Sequence, residues 1–187
     1  MTTKIDTYQI LTRSGRIIDF QNPDVGQITL DDIATGLANV CRYSGQVKSF
    51  YSVAQHCVLM ATHFYTESSR LAALALIHDS SEAYMGDVPR PVKLLCPDYK
   101  AIEARIEDAI HHALRLKPAD GGEHARIKDA DNRILLTEAK VLKVGNALQW
   151  LDVPGTPLPV NIDPWSPEQA RSRWLITAHN LGFREVE

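Results

Sequence analysis

The stretch Arg70–Asp87, RLAALALIHDSSEAYMGD, decides the fold. It opens with a run of Leu, Ala and Ile that contains no Gly or Pro, and these residues are strong helix formers. Positions 71, 74, 75, 78, 82 and 85 are separated by three or four residues or are adjacent, so they share one face of a helix. The sequence therefore predicts one buried helix from Arg70 to Met85, with His78 and Glu82 on its buried face.

Ionisable side chains on a buried face need a partner. An unpaired buried carboxylate costs several kcal/mol or takes up a proton, so buried charges are usually paired or bound to a metal. The pattern His78-Asp79-x-x-Glu82 is compatible with a metal site that has an acid or base beside it. A satisfied His–carboxylate pair inside a helical core is the structural alternative, and this stretch alone favours neither.

Composition and charge restrict the function classes. The chain has 187 residues, 44% of them hydrophobic and 23% charged, and a net charge of −3. A net negative charge does not favour binding to the nucleic-acid backbone, although a few local cations or a metal could bind a small anion. The three cysteines lack CxxC spacing, which favours reduced thiols. No apolar signal core or membrane-length run is visible, so we expect a cytoplasmic protein without membrane or nucleic-acid partners.

The periodicity along the chain predicts a single all-α domain, 1–187, with a minor N-terminal β-hairpin. Short β-prone runs at Tyr8–Leu11 and Arg16–Phe20 flank a turn. The predicted organisation is a hairpin and loop over 1–29, a helical core over 30–145, and a Pro-rich loop with a C-terminal helix over 146–187.

The expected helix boundaries follow from capping residues, glycines and prolines. They are a helix from Leu30 with Asp31 or Asp32 as N-cap, ending near Gly45; a helix capped by Ser52; a rigid loop at Asp87–Pro91; a helix from Pro97 to Leu114; a long helix from Glu123 to Val144; a loop over 152–165; and a last helix capped by Ser166 that stops at Gly182.

Three of these helices carry side chains that can bind a metal. His56 lies on the second helix, His78 and Asp79 on the third, and Asp131 on the long fifth. Two imidazoles and two carboxylates suit one divalent cation with positions left for water. The candidate ions are manganese, cobalt, nickel, iron, magnesium and zinc, although a structural zinc site would normally recruit cysteine thiols.

The motifs SVAQH at 52–56, IHDSSEAYMGDVPRPVK at 77–93 and KDADN at 128–132 resemble the H…HD…D signature of the HD-domain phosphohydrolases. The resemblance is narrower to the small bacterial and phage branch of 5′-deoxynucleotidases and deoxynucleotide triphosphohydrolases, including YfdR-type prophage members. It covers roughly Leu30 to Leu142.

The resemblance implies a role for each matching residue. His56, His78, Asp79 and Asp131 would bind one metal ion. Glu82 would handle the proton of the attacking water, and Asp87 would assist at the leaving oxygen or the sugar. Arg42, Tyr43 and Lys93 would bind substrate, Arg42 and Lys93 through phosphate and Tyr43 through the nucleotide. Relatives form dimers or larger rings, so the resemblance also implies a homo-oligomer.

The expected function is metal-dependent hydrolysis of nucleotide phosphates, by a 5′-nucleotidase or a dNTP triphosphohydrolase. Met85 departs from nucleotidases that carry a hydroxyl residue near the phosphate, which leaves this choice open. Ala83 after Glu82 disfavours hydrolysis of the alarmone ppGpp, because that branch carries HDxxED.

The alternatives are a dinuclear HD-type oxygenase, and a non-catalytic nucleotide-binding or interaction module. A dinuclear site would need two further histidines, but His111 and His112 are expected on a polar surface, and His124 lies only seven residues before Asp131.

Overall fold

A short antiparallel hairpin precedes a set of packed helices in the computed structural model, which describes residues 8–143, 148 and 153–184. Strand β1 is Gln9–Leu11 and strand β2 is Ile17–Asp19, paired with Ile10 opposite Ile18. Ile18 is fully buried, so the hairpin covers one side of the helical core.

The helices occupy most of the described residues. They are α1 (Leu30–Asn39), α2 (Val53–Phe64), α3 (Ser69–Ile77), α4 (Glu82–Met85), α5 (Arg90–Leu95), α6 (Pro97–Ala113), α7 (Gly121–Leu142) and α8 (Pro167–Asn180). The expected all-α fold with a minor N-terminal hairpin is therefore confirmed. No helix within the described part of the chain combines the length and apolarity that a membrane crossing requires.

The central packing unit is the α2–α3 pair, with α8 and α1 against it. Trp174 of α8 is completely buried in the main apolar cluster, together with Leu37 of α1 and Leu76 of α3. This cluster supports the carboxyl end of α3, where the His78-Asp79 pair begins.

Most of the predicted caps are confirmed. Ser52 and Ser166 accept hydrogen bonds from the amides of Gln55 and Gln169, and Ser166 with Gln169 forms a capping box. The predicted cap of α1 was wrong. Thr29 is the N-cap: it precedes the helix in a β conformation, and its hydroxyl accepts a hydrogen bond from the Asp32 amide.

The helix predicted from Arg70 to Met85 is wrong in its middle. Helix α3 ends at Ile77 and α4 begins only at Glu82. His78 Nδ1 lies 2.8 Å from the Ala75 carbonyl oxygen, the acceptor that a regular helix would offer to the Asp79 amide. The chain then turns tightly through bonds between residues three apart, such as Glu82 N–H to Asp79 O at 3.0 Å.

The short helix α4 lies directly on α1. An added Cβ on Gly36 would stand 2.3 Å from the Ala83 carbonyl oxygen, so only glycine permits this approach. Gly86 ends α4 with φ of 78°, in agreement with its predicted role as terminator.

Three other boundaries differ from the expectations. Helix α1 ends at Asn39, and the residues up to Gly45 form a separate turn. The region predicted as a rigid loop enters helix α5 at Arg90, since a proline is tolerated in a first turn. The long helix begins at Gly121, with Asp120 as its cap, and ends at Leu142. The predicted end at Val144 lies outside the described residues, as does Asp152 at the start of the predicted 152–165 loop; residues 153–165 form neither helix nor strand.

Candidate metal centre and active site

Four predicted ligands lie together where α2, α3 and α7 meet. His56 Nε2 is 3.3 Å from His78 Nε2, 3.7 Å from Asp79 Oδ2 and 3.5 Å from Asp131 Oδ1. Ligand atoms of His56, His78 and Asp79 all lie within 4.8 Å of one another. Two atoms that each lie about 2.0–2.1 Å from one ion are at most about 4.2 Å apart, so these separations suit shared coordination.

The hydrogen bonds of the two imidazoles leave their Nε2 atoms free for a cation. His56 Nδ1 is 2.7 Å from Glu138 Oε1, and His78 Nδ1 is 2.8 Å from the Ala75 carbonyl oxygen. A carboxylate and a carbonyl only accept hydrogen bonds, so each Nδ1 carries a proton, and in a neutral ring each Nε2 carries a lone pair. Two such lone pairs facing each other beside two carboxylates repel unless a positive charge, from a proton or a metal ion, lies between them. The donor set therefore fits a divalent metal ion.

The carboxylates of this cluster favour their charged forms. Burial by itself would raise the pKa of Asp79, but the neighbouring His78 outweighs it and holds this pKa below its usual range. Burial likewise opposes ionisation of Asp131, and the hydrogen bond and charge of His56 lower its pKa. Lys128 Nζ also lies 2.5 Å from Asp131 Oδ2.

Glu138 is a central residue of the site that the sequence interpretation missed. Its side chain is fully buried, and its two oxygens contact His56, Tyr51, Tyr43 and Arg42. Burial alone would raise the pKa of Glu138, but Arg42 and His56 lower it to about 2. A signal existed in the sequence, because Glu138 follows Asp131 by seven residues and so falls on the same face of α7.

The predicted substrate residue Arg42 belongs to the turn Arg42–Gly45, beside the metal ligands. Its Nη1 lies 3.3 Å from Asp79 Oδ2 and its Nε lies 3.2 Å from Glu138 Oε2. Only 11% of its side chain is exposed. The guanidinium is therefore fixed next to the cluster by two carboxylates.

The second predicted substrate residue, Tyr43, is held by hydrogen bonds from both its backbone amide and its side-chain hydroxyl. Its φ is 61°, a left-handed conformation that non-glycine residues adopt rarely and mostly at functional sites. This conformation directs its amide toward Asp87 Oδ2 at 2.9 Å, so the turn fixes the predicted catalytic aspartate. Its hydroxyl donates to Glu138 Oε2 at 2.6 Å, and Lys143 Nζ lies 4.3 Å from its ring centre.

Glu82, the predicted acid or base, lies at the start of α4 and is 5% exposed. Its Oε2 is buried and has no hydrogen-bond partner among the described residues. Burial raises the pKa of Glu82 to about 9, and the charges of Asp79 and Asp87 add to this effect. A buried carboxyl with one unpartnered oxygen, close to the predicted metal ligands, is an arrangement suited to holding a water molecule or its proton.

Lys93 lies in α5 and is paired with acidic groups of the protein. Its Nζ is 2.6 Å from Glu103 Oε1 and 3.5 Å from Glu82 Oε1, and 21% of its side chain is exposed. The predicted contact with substrate phosphate would therefore compete with Glu103.

A cavity of about 430 Å³ opens onto three of the ligands, and apolar residues of α3, α6 and α7 form much of its wall. Its lining includes His78, Asp79, Asp131, Ile77, Ile110 and Ile127. His111 and His124 also line it, and His111, which was expected on a polar surface, is half-buried in this wall. His111 Nδ1 lies 2.9 Å from the Leu116 carbonyl oxygen, which ties this ring to the α6–α7 connection. His112 is 68% exposed, as expected.

Several known proteins and one family model are similar to this chain. A family model described as 5′-deoxynucleotidase YfbR-like matches residues 34–120. The Escherichia coli (strain K12) protein YfdR is 36% identical over 174 residues, covering 92% of this chain and 94% of YfdR.

Several relatives carry the name 5′-deoxynucleotidase. The protein from Vibrio cholerae is 40% identical over 78 residues, which cover 33% of this chain and 40% of that protein. The protein from Vibrio vulnificus is 33% identical over 88 residues, 45% of this chain and 44% of that protein. The chain therefore belongs to the YfbR-like 5′-deoxynucleotidase family.

Proposed function

We propose that this protein is a divalent-metal-dependent phosphohydrolase that removes the phosphate of 5′-deoxynucleoside monophosphates. The observation that carries the proposal is the convergence of His56 Nε2 and His78 Nε2, 3.3 Å apart, beside the half-buried carboxylates of Asp79 and Asp131. The family supports a phosphohydrolase, and the names of two relatives support the deoxynucleotide substrate.

His56, His78, Asp79 and Asp131 would hold the ion. When bound, a divalent metal acidifies a water molecule and offsets charge on phosphoryl oxygens. The positive charge of the ion would favour ionised Glu82 over the protonated form that burial favours. Glu82 Oε2 would take one proton from the attacking water and later release it to the leaving sugar oxygen. The water oxygen forms the new bond to phosphorus while the bond from phosphorus to the 5′ oxygen breaks, giving orthophosphate and a nucleoside.

Arg42 would bind the phosphate through its remaining N–H groups. A guanidinium matches phosphate oxygens with paired donors, and this one is already fixed by Asp79 and Glu138. Asp87, oriented by the Tyr43 amide, would assist at the leaving oxygen or the sugar. Positioning of this kind reduces the entropy that the reaction must lose.

The nucleoside would occupy the cavity beside the ligands. Its volume of about 430 Å³ lies within the range of small-molecule sites. Ile77, Ile110 and Ile127 offer apolar contact to a base and sugar. Because His78, Asp79 and Asp131 line this cavity, a nucleotide could place its phosphate at these predicted ligands and its base between α6 and α7.

The test is a panel of ribo- and deoxynucleoside mono-, di- and triphosphates, assayed with Mn²⁺ or Co²⁺ and with chelator. We expect metal-dependent orthophosphate release, fastest from deoxynucleoside monophosphates. Release of nucleoside and triphosphate would instead identify a dNTP triphosphohydrolase. Absence of turnover on the whole panel, by protein with a measured metal ion per chain, would contradict the proposal and favour the non-catalytic binding module.

Metal content separates the proposal from a dinuclear oxygenase. His111 and His124 line the same cavity as Asp79 and Asp131, which is the one observation that favours a second ion. However, no contact links either histidine to His56, whereas His56 Nε2 lies 3.5 Å from Asp131 and 3.7 Å from Asp79 in the described structure. We expect one ion per chain by elemental analysis; two irons per chain with oxygen consumption would support the oxygenase.

Homo-oligomerisation, the cytoplasmic location and the division at residues 29 and 145 remain predictions. Gel filtration with light scattering would test the first.

A further inference from the structure

The two oxygens of Glu138 serve two different parts of the site. Oε1 lies 2.7 Å from His56 Nδ1 and 2.9 Å from the Tyr51 hydroxyl. Oε2 lies 2.6 Å from the Tyr43 hydroxyl and 3.2 Å from Arg42 Nε. One oxygen thus faces a metal ligand, whereas the other faces the turn that carries the phosphate-binding arginine.

We propose that Glu138 is a positioning residue with a divided role, in which Oε1 orients the metal ligand His56 and Oε2 orients Arg42 for phosphate. The inference rests on the metal and phosphate sites of the proposed function and adds a residue that controls both.

The burial of Glu138 supports this division. The side chain is completely inaccessible, so water cannot replace any of its four partners. Buried polar groups must be satisfied within the protein, and every donor here points to one of the two oxygens. A carboxylate that receives the Nδ1 proton of a ligating histidine fixes its tautomer and ring orientation.

The position of Glu138 on α7 makes the coupling rigid. Glu138 lies two turns after Asp131, so one helix supplies both a predicted ligand and the residue that orients another ligand. Arg42 Nη1 in turn contacts Asp79 Oδ2 at 3.3 Å. A contiguous chain of contacts therefore runs from Asp131 through His56 and Glu138 to Arg42 and on to Asp79.

The test measures metal and phosphate binding separately, without substrate turnover. Co²⁺ titration followed by visible absorbance gives metal affinity, and inorganic phosphate added to Co²⁺-saturated protein gives phosphate affinity. For Glu138→Gln we expect about tenfold to hundredfold weaker Co²⁺ binding. We also expect phosphate binding at saturating Co²⁺ to weaken several-fold, because the amide cannot satisfy the donors on both sides.

A matched pair of tyrosine variants separates the two oxygens. Tyr51→Phe removes a donor to Oε1 and should weaken mainly Co²⁺ binding. Tyr43→Phe removes a donor to Oε2 and should weaken mainly phosphate binding. Tyr99→Phe removes a phenol that has no contact with Glu138 and should change neither affinity.

The outcomes either support or overturn the inference. Loss of only metal affinity, or of only phosphate affinity, in Glu138→Gln would contradict the divided role, as would identical profiles for the two tyrosine variants. If Glu138→Gln does not fold by circular dichroism, the tyrosine pair decides alone. Both affinities can be measured even if no nucleotide is hydrolysed, so failure of the proposed function would be distinguishable from failure of this inference.

Discussion

The site has two sides that are built differently. One side, which we call the floor, consists of His56 on α2, His78 and Asp79 in the turn after α3, and Asp131 and Glu138 on α7. The other side, which we call the rim, is α5 with its lysine Lys93 and the ion-pair partner Glu103 on α6.

Burial distinguishes the deepest floor residues from the apolar end of the rim. His56 and Glu138 have no exposed side-chain area, and His56 Nδ1 lies 2.7 Å from Glu138 Oε1. In the rim, Leu94 and Leu95 are 65% and 83% exposed. Preorganised buried groups are suited to fixed coordination, whereas an exposed short helix can adapt to a ligand. The comparison indicates that chemistry depends on the floor and substrate affinity depends more on the rim.

Removing a floor ligand should have the largest effect. Asp131→Asn deletes an anionic oxygen 3.5 Å from His56 Nε2, and we expect loss of metal and at least about a hundredfold loss of kcat/KM. The control is Asp129→Asn, two residues away on α7, whose side chain is 62% exposed. Elemental analysis and nucleotide turnover measure both variants; equal metal content would contradict the assignment of Asp131.

Glu82→Gln should remove proton transfer without removing the metal. General acid–base catalysis typically contributes about 10²–10⁴-fold, so kcat should fall within that range. Metal content should stay at the wild-type value, because Glu82 is predicted to act on the attacking water and is not one of the four predicted ligands. Unchanged turnover in this variant would show that Glu82 is a structural carboxyl.

Lys93→Ala should have a smaller effect that reports on the rim. The partly exposed lysine is shared with Glu103, so we expect KM to rise about tenfold or less, consistent with loss of a partly exposed ion pair. The charge of Lys93 also lowers the pKa of Glu82, whereas burial raises it. Removal of Lys93 should therefore shift the limb of the pH–rate profile that reports Glu82 to higher pH. Lys100→Ala, on the exposed surface of α6, is the control. A fall in kcat as large as that of Glu82→Gln would place Lys93 in the floor instead.

The smallest expected effect concerns the stability of the metal-free protein. Burial raises the pKa of Glu82 to about 9 in the folded state, from an ordinary value of 4.5. The folded state then binds the proton more tightly, so this stabilisation is fully present below about pH 4.5 and is lost as pH rises toward 9. In chelator, Tm of the wild type should fall between pH 6 and pH 9, and Glu82→Gln should reduce that fall by a few degrees. Parallel Tm curves would contradict the raised pKa.

The contribution of Glu138 to the stability of the folded protein changes with pH in the opposite direction. Its pKa is lowered to about 2 in the folded state, so its contribution is present above about pH 4.5 and is lost as pH falls toward 2. The two glutamates therefore affect stability at opposite ends of the pH range.

Much of the helical framework follows from local chemistry. Ser52 and Ser166 cap their helices, and Gly86 ends α4, because hydroxyl caps and left-handed glycines act within a few residues. The break after Ile77 was not predictable from propensity. It follows from a side-chain hydrogen bond of His78 that competes with the backbone.

The sequence by itself determined the all-α class and the residues able to bind a metal, since these depend on periodicity and side-chain chemistry. The tertiary structure decided which groups meet: Glu138 beside His56, Lys93 beside Glu103, and His111 in the cavity wall. These contacts join residues 10 or more positions apart and, for Glu138 and His56, 82 positions apart. Such pairings are set by how helices pack, which no local pattern encodes.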